Sequence, residues 1–278
     1  MNKPKGWTSH DVVAKVRGLA AQKRVGHAGT LDPMAEGVLP VLLGRATRLA
    51  DFIQQGHKTY TATAHLGAST DTDDAEGTVI REQPVPLLTQ ALVESALERF
   101  RGEILQTPPQ YSALKVAGRR AYAVARGGGE VELAPRSVTV YDLRLLEWSP
   151  SYLSFEVTCS RGTYIRALAR DIAVELGTLG HLTALVRTRV GPFGIEDALT
   201  LEDVATRGVD QSLLSASCAM PDLPTYSATQ DETQRLANGQ TLLVAGVCGE
   251  SLWVYDPLGR LVCLASADGT LLRPRLAL

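Results

Sequence analysis

The sequence predicts an α/β (α+β) protein: a central mixed, mostly antiparallel sheet flanked by helices, plus a small β-barrel-like C-terminal domain. Alternating side chains indicate strands at 58–66 and 152–159, because alternate residues of a strand share one face. Apolar residues at helical spacing indicate a helix over 9–21 and another after Gly162. Short strand patterns beyond residue 224 indicate the separate C-terminal domain.

The N-terminal elements follow from capping and periodicity. Thr8-Ser9-His10-Asp11 matches a capping box and starts the first helix. The apolar run Val38–Leu43 is too short to distinguish a buried strand from a helix segment, and both interpretations stay open. Thr89 caps a second helix that runs to about Phe100.

Strands and a helix return in the second half of the large domain. The patterns predict strands at about 137–147 and 152–159 and renewed alternation at 182–190. Between them a helix carries an apolar stripe and ends at Gly177. The stripe consists of Ile165, Leu168, Ala169, Ile172 and Leu176.

Two segments stand apart from this pattern. Residues 106–136 carry Pro108-Pro109, three consecutive glycines and several bases, which predicts an inserted excursion rather than core. Pro221 and Pro224 bracket a linker, so we predict one domain over 1–220 and a second over 224–278. The second domain is predicted to hold a helix at 229–237, strands near 242–247, 251–256 and 260–265, and a turn at 256–259.

Composition indicates an ordinary globular protein. The chain has 278 residues, of which 45% are hydrophobic and 21% charged. No apolar run approaches the ~20 residues of a membrane span, and the N-terminus lacks an apolar leader segment. The four cysteines have neither CxxC nor zinc-ligand spacing. We therefore expect a cytoplasmic monomer without a metal site.

Charge is distributed unevenly along the chain, although the net charge is only −2. Residues 1–60 hold nine Lys/Arg against four Asp/Glu, whereas residues 195–260 hold three Arg against ten acids. This asymmetry indicates one basic face and an acidic C-terminal part. A mixed, solvated surface is the alternative interpretation.

The segment Gly26–Pro33 is the most informative for chemistry. Its glycines allow tight or left-handed backbone, and Pro33 disfavours the α region for Asp32. A carboxylate is thereby held at a junction between loop and secondary structure, which suits a nucleophile or a general base. An Asp that only caps the next turn is the alternative.

Several motifs together resemble the TruB family, the synthases that make pseudouridine at position 55 in the T loop of tRNA. They fall in the family's order over nearly all of residues 1–190. The motifs are Asn2-Lys3-Pro4-Lys5-Gly6-Trp7-Thr8-Ser9, His27-Ala28-Gly29-Thr30-Leu31-Asp32-Pro33, Lys58-Thr59-Tyr60, Leu66-Gly67 followed by Thr70–Gly77, Pro108–Lys115 and Ser160–Arg166. The family usually has several residues before its Lys-Pro, so we expect a shortened edge strand or a start that lies upstream.

The resemblance implies the roles of the site residues. Asp32 is the essential carboxylate, and Arg166 pairs with it and helps to hold it ionised. Tyr60 stacks on the target base and serves as the candidate general base for the C5 proton. Without the resemblance, Arg166 would be interpreted as a solvated surface residue.

Further residues are implied to contact the substrate. Leu185 is an apolar contact beside the base, with plain core as its alternative, and His27 helps to occupy the space that the extruded uridine leaves. Tyr164 belongs to the same motif as Arg166 and is assigned to RNA binding. Asp71 and Asp74 either bind the cations around the cleft or form a solvated loop.

The substrate is expected to be tRNA, gripped through its phosphates. The implied family architecture includes a thumb-like insertion at about 106–136 and a PUA-like domain at 224–278. An acidic composition up to Arg273 leaves the second domain's RNA contact open. Solubility alone is the alternative role for the candidate phosphate contacts, which are Lys3, Lys5, Lys115, Arg119, Arg120 and Arg126.

The implied reaction needs no cofactor or metal, because it exchanges one glycosidic bond for another. The base must first leave its stack, which costs a few kcal/mol. Two other functions fit the sequence less well. A non-catalytic tRNA-binding or folding protein fits poorly with Asp32, Tyr60 and Arg166 together, and an aspartate-nucleophile phosphohydrolase would need Mg²⁺ carboxylates and a phosphate-binding loop that the sequence does not show.

Overall fold

The computed structural model describes residues 1–111 and 133–278, together with the backbone of two short strands, Lys115–Val116 and Arg119–Arg120. The predictions for the side chains of Lys115, Arg119 and Arg120, and for Arg126, lie outside the described part. The strands are β1 Asn2–Lys3, β2 Val25–His27, β3 Glu36–Val38, β4 Val41–Leu43, β5 Lys58–Leu66, β6 Ala68–Thr70, β7 Val79–Glu82, β8 Gly102–Gln106, β9 Lys115–Val116, β10 Arg119–Arg120, β11 Arg136–Trp148, β12 Tyr152–Cys159, β13 Gly180–Val190, β14 Phe193–Gly194, β15 Thr225–Ser227, β16 Leu242–Leu243, β17 Cys248–Tyr255, β18 Leu261–Asp268 and β19 Leu271–Ala277.

Helices flank the sheets, and most begin where a capping residue was available. Thr8, Thr89, Thr200 and Thr229 each accept a hydrogen bond from a backbone amide in the first turn of the helix that follows. The α-helices are α1 Ser9–Leu19, α2 Ala50–Gln55, α3 Gln90–Glu98, α4 Ile165–Glu175, α5 Leu201–Arg207, α6 Val209–Ser212 and α7 Gln230–Ala237. Short 3₁₀ segments lie at Gly44–Leu49, Ile195–Asp197 and Ala216–Ala219.

The central sheet confirms the predicted fold class. Its order is β1-β3-β13-β5-β12-β11-β8, with β14 added on β13. In the described residues, β3 and β13 run parallel and the other neighbours run antiparallel. The open question at Val38–Leu43 is resolved as two strand segments, because β3 ends at Val38 and β4 begins at Val41.

The main core lies between the central sheet and helices α3 and α4. The predicted face of β5 is buried, since Tyr60, Ala62, Ala64 and Leu66 are all at most 7% exposed. The apolar stripe of α4 packs against it, and Gly177 ends the helix with a positive φ of 79°. This packing fixes the first turn of α4 above the sheet, where it faces the segment that carries Asp32.

A second, five-stranded sheet has the order β15-β17-β18-β19-β16 and forms the C-terminal part. The predicted strand at 242–247 is shorter than expected, and β15 and β19 were not predicted. Pro274 hides β19 from strand patterns, because proline donates no ladder hydrogen bond. This part packs on the rest of the chain: the Trp253 indole nitrogen donates to the Met220 carbonyl at 2.9 Å, and an apolar cluster joins Trp253 to Leu49.

Candidate active site

The segment that carries Asp32 is held by hydrogen bonds to its backbone. The Ser9 hydroxyl accepts from the Leu31 amide at 2.9 Å and donates to the Leu31 carbonyl at 3.2 Å. Gly29 adopts a φ of +102°, a value that residues with a Cβ rarely take. The Ala35 amide donates to the Asp32 carbonyl at 3.1 Å. Asp32 therefore projects from a fixed backbone, and its side chain is 36% exposed.

Arg166 reaches Asp32 from the first turn of α4. Its Nε donates to one carboxylate oxygen at 2.9 Å and its Nη2 to the other at 3.3 Å. The Arg166 side chain is only 5% exposed. A two-point contact of this kind fixes the orientation of the carboxylate as well as its charge. The structure thus brings together the two residues whose pairing the family resemblance implied.

The rest of the Arg166 guanidinium is also satisfied. Nη1 donates to the Thr72 carbonyl at 2.8 Å and lies 3.3 Å from the buried carboxylate of Asp74. Nη2 also donates to the Tyr111 carbonyl at 2.9 Å. Of the two alternatives for Asp74, the structure thus shows a carboxylate bound to a cation rather than one in a solvated loop. The exposed Asp71 instead accepts from the Thr78 amide at 2.7 Å.

Tyr60 and Leu185 lie on the same inner side of the sheet as this ion pair. They belong to the neighbouring strands β5 and β13 and to the apolar cluster that includes Leu31 and Ile165. Tyr60 is 7% exposed and Leu185 5%. Burial raises the pKa of the Tyr60 hydroxyl, while the charge and hydrogen bond of Arg187 act in the opposite direction.

His27 and Tyr164 flank the centre. The Nδ1 of His27 is buried and finds no hydrogen-bond partner among the described residues, and its ring meets that of His10 edge-on at 5.8 Å. Burial lowers the pKa of His27, and the charges of His10 and Arg187 add to this effect. The backbone of Tyr164, which precedes α4, is held by both ends of the Gln106 amide, at 2.8 and 3.1 Å.

The two N-terminal lysines lie in different environments. Lys5 is exposed, as a phosphate contact requires. Lys3 is wholly buried, and its ammonium donates to the carbonyls of Pro4, Trp7 and Pro33 at 2.9, 2.6 and 3.2 Å. The prediction that Lys3 contacts phosphate does not fit this placement, because its three donors are already engaged with backbone. Lys3 instead supports the segment that follows Asp32.

Sequence reasoning missed two other buried cations beside the site. Arg187 is 1% exposed and donates to the carbonyls of Gly29, Thr30 and Val38. Lys58 is 7% exposed and donates to the carbonyls of residues 54 and 56 at 2.7 and 3.0 Å. The available signal was alternation: Arg187 lies two residues after Leu185 and so occupies an inward position of β13.

The described part of the chain shows neither a metal-ligand cluster nor a membrane-spanning helix. Within residues 1–111 and 133–278, no group of three or more His, Cys, Asp or Glu side chains is arranged to hold a metal ion. In the described part of the chain, no helix has both the length and the apolar character needed to cross a membrane.

Comparison with known proteins decides the family. Residues 17–165 match the model for the TruB family pseudouridylate synthase N-terminal domain, and residues 166–217 match the model for the tRNA pseudouridylate synthase B C-terminal domain. The chain belongs to the TruB family. A tRNA pseudouridine synthase B from Thermobifida fusca is 46% identical over 273 residues, which cover 95% of this chain and 92% of that relative. A tRNA pseudouridine synthase B from Geobacillus kaustophilus is 45% identical, and the match covers 87% of this chain and 89% of that relative.

Solved structures extend the likeness of this TruB-family chain to its fold. A chain in a crystal structure of a Cbf5-Nop10-Gar1 complex matches with a TM-score of 0.74 at 26% identity, covering 100% of this chain and 82% of the other. A structure of an H/ACA RNP bound to a substrate RNA containing 2′-deoxyuridine matches with a TM-score of 0.71 at 25% identity, covering 99% and 83%. The likeness spans both sheets.

Proposed function

We propose that this chain isomerises uridine 55 in the T loop of tRNA to pseudouridine, with Asp32 as the essential carboxylate. The observation that carries the proposal is the two-point contact between Arg166 and a partly exposed Asp32. The contact gives the carboxylate a fixed direction and leaves it accessible to a nucleotide. Relatives called tRNA pseudouridine synthase B, at 40–46% identity over most of the chain, supply the substrate class.

The bond changes define what the site must do. The bond between C1′ and N1 of the uridine breaks, the uracil turns, and a bond between C1′ and C5 forms. C5 loses a proton and N1 gains one, so the atoms balance and no electron donor is required. Asp32 would start the reaction at the sugar or the base, and Tyr60 would stack on the uracil and take the C5 proton.

The surroundings of Asp32 suit this chemistry. The ring of Tyr60 and the side chain of Leu185 lie on the inner face of the sheet, where a flipped base would stack against them. Arg166 donates to Asp32 without protonating it, because a guanidinium keeps its proton. The exposed Lys5 and residues of the 106–136 segment are the proposed phosphate contacts. The enzyme would act as a monomer on tRNA in the cytoplasm.

A release assay tests the proposal. An unmodified tRNA transcript labelled with tritium at uridine C5 loses tritium to water when C5 joins C1′. Wild type should release one tritium per tRNA, and Asp32→Asn should slow release by at least about 10³-fold while binding tRNA as tightly. Asp51→Asn, at an exposed acid on α2, is the matched control and should behave as wild type.

Two outcomes would redirect the proposal. Equal release by wild type and Asp32→Asn would show that Asp32 is not the essential carboxylate. Tight tRNA binding without release by wild type would instead favour the non-catalytic tRNA-binding protein.

A further inference from the structure

We propose that Arg187 is a positioning residue, whose guanidinium locks the Asp32 segment and the Tyr60 hydroxyl into one arrangement. This inference rests on the proposed function, since it assigns a role in the same reaction. Four observations support it: the carbonyls that Arg187 binds, the lack of an acidic partner, the close fit of the backbone, and the position opposite Tyr60.

The first observation is where the guanidinium donates. Nη2 binds the Gly29 carbonyl at 2.9 Å and Nη1 the Thr30 carbonyl at 3.3 Å, just before Asp32. Nε binds the Val38 carbonyl at 2.8 Å, after Asp32. One planar group therefore binds backbone on both sides of Asp32. Such a brace restricts the backbone from which the Asp32 carboxylate projects.

The second observation is the absence of an acidic partner. Arg187 is 1% exposed, yet it forms no ion pair with any residue that the structure describes. A buried charge without a counterion is costly, and an apolar side chain of similar size would fill the space at lower cost. A role in filling the core therefore does not explain a guanidinium at this position. The need for fixed donors that bind three carbonyls explains the guanidinium.

The third observation is the close fit of the surrounding backbone. A Cβ on Gly37 would lie 2.3 Å from the Arg187 carbonyl oxygen, and Gly37 has a φ of +101°. A Cβ on Gly29 would lie 3.5 Å from the Arg187 Nη1. The backbone of residue 187 therefore approaches Gly37 closely, whereas the guanidinium lies at ordinary contact distance from the Cβ position of Gly29. Strand pairing holds the segment at Gly37, and the Arg187 side chain lies against it at Gly29.

The fourth observation links the segment to Tyr60. Arg187 on β13 is directly opposite Tyr60 on β5, and both side chains lie on the inner face. The positive charge of Arg187 acts on the Tyr60 hydroxyl and opposes the rise in its pKa that burial causes. One side chain thus fixes the candidate carboxylate and the candidate base relative to each other. A displacement of about 1 Å between such groups costs on the order of 10²-fold in rate.

The test compares Arg187→Lys with Arg189→Lys. The first keeps the positive charge but replaces the planar, three-nitrogen guanidinium by a single ammonium nitrogen. The second changes an exposed arginine of the same strand that pairs with Glu196. We expect Arg187→Lys to slow single-turnover tritium release by about 10²-fold while the Kd for tRNA changes less than about 3-fold. Hydrogen exchange should become faster at the amides of residues 29–32 and stay unchanged in β5. Arg189→Lys should match wild type.

Each result has a separate meaning. Unchanged turnover in a folded Arg187→Lys protein would overturn the inference. A parallel loss of turnover, tRNA affinity and protection from hydrogen exchange throughout the sheet would also overturn it, because that pattern marks a purely structural residue. Failure of wild type to release tritium would instead reject the proposed function. If Arg187→Lys does not fold, Arg187→Gln, which keeps a planar amide donor, is measured in the same way and must show the same split between rate and affinity.

Discussion

Arg166 and Asp32 meet through two hydrogen bonds although 134 residues separate them in the chain. The guanidinium also lies 3.3 Å from Asp74, so one cation serves two carboxylates. Asp74 is 4% exposed, whereas the Asp32 side chain is 36% exposed. The buried acid therefore neutralises Arg166 within the protein, and the exposed acid remains available to a substrate.

Replacement of Arg166 by lysine should separate catalysis from binding. An ammonium keeps the charge but cannot make the two-point contact with Asp32 while also reaching Asp74 and two carbonyls. We expect tritium release to fall by about 10²-fold and the Kd for tRNA to change less than about 3-fold. Arg99→Lys, at an exposed arginine paired with Glu175, is the control and should change neither quantity. A parallel collapse of affinity would make Arg166 a binding residue.

Local patterns predicted much of the fold, because burial enforces them. The inward face of β5 and the stripe of α4 follow from periods of 2 and 3.6 residues, and the structure buries both. The pairing of Asp32 with Arg166 was not available from periodicity, since it joins two distant segments. Only the order of the family's motifs implied it.

The buried cations show what local patterns cannot supply. Lys3, Lys58 and Arg187 are held by backbone carbonyls, and the Pro33 carbonyl that accepts from Lys3 lies 30 residues away in the chain. Whether carbonyls converge on a point depends on how distant segments pack. A lysine near the N-terminus therefore looks like a surface residue in the sequence. This explains why the predicted phosphate contact of Lys3 does not fit its position.

Tyr60→Phe should test the hydroxyl separately from the ring. The aromatic face that stacks on uracil is kept, so we expect the Kd for tRNA to change less than about 3-fold. If the hydroxyl takes the C5 proton, tritium release should fall by about 10²–10⁴-fold. Tyr152→Phe on β12, which removes a hydroxyl that donates to Glu147 on β11, is the matched control. Normal release by Tyr60→Phe would limit Tyr60 to stacking.

Lys58 should make stability depend on pH. Burial lowers the pKa of its ammonium from 10.5 to about 8. Between those values the unfolded chain holds the proton and the folded protein does not, so the stability contributed by Lys58 rises with pH. The full effect is on the order of 3 kcal/mol. Cys159 and Cys263 oppose it, because burial raises the pKa of each thiol to about 11.

A difference between variants removes the contribution of the Cys263 thiol, whereas the Cys159 thiol interacts with Lys58 and stays part of the measured difference. Urea unfolding of wild type and Lys58→Met is measured from pH 7 to 10.5, and the free energies of unfolding are subtracted at each pH. We expect wild type to gain stability relative to Lys58→Met as pH rises above 8. Lys15→Met, at an exposed lysine of α1, should give a flat difference. A flat difference for Lys58→Met would contradict the predicted shift.

Two glycines, one in β3 and one in α1, should respond to alanine with opposite signs. Gly37 has a φ of +101°, and a Cβ there would lie 2.3 Å from the backbone oxygen of Arg187, between the parallel strands β3 and β13. Gly18 lies in α1, and a Cβ there meets nothing within 4 Å. We expect Gly37→Ala to lower the free energy of unfolding by at least about 2 kcal/mol. Gly18→Ala should raise it by about 0.5–1 kcal/mol. Urea unfolding of both variants checks this. A Gly37→Ala protein as stable as wild type would mean that β3 can move away from β13. The backbone around Arg187 would then be looser than these contacts indicate.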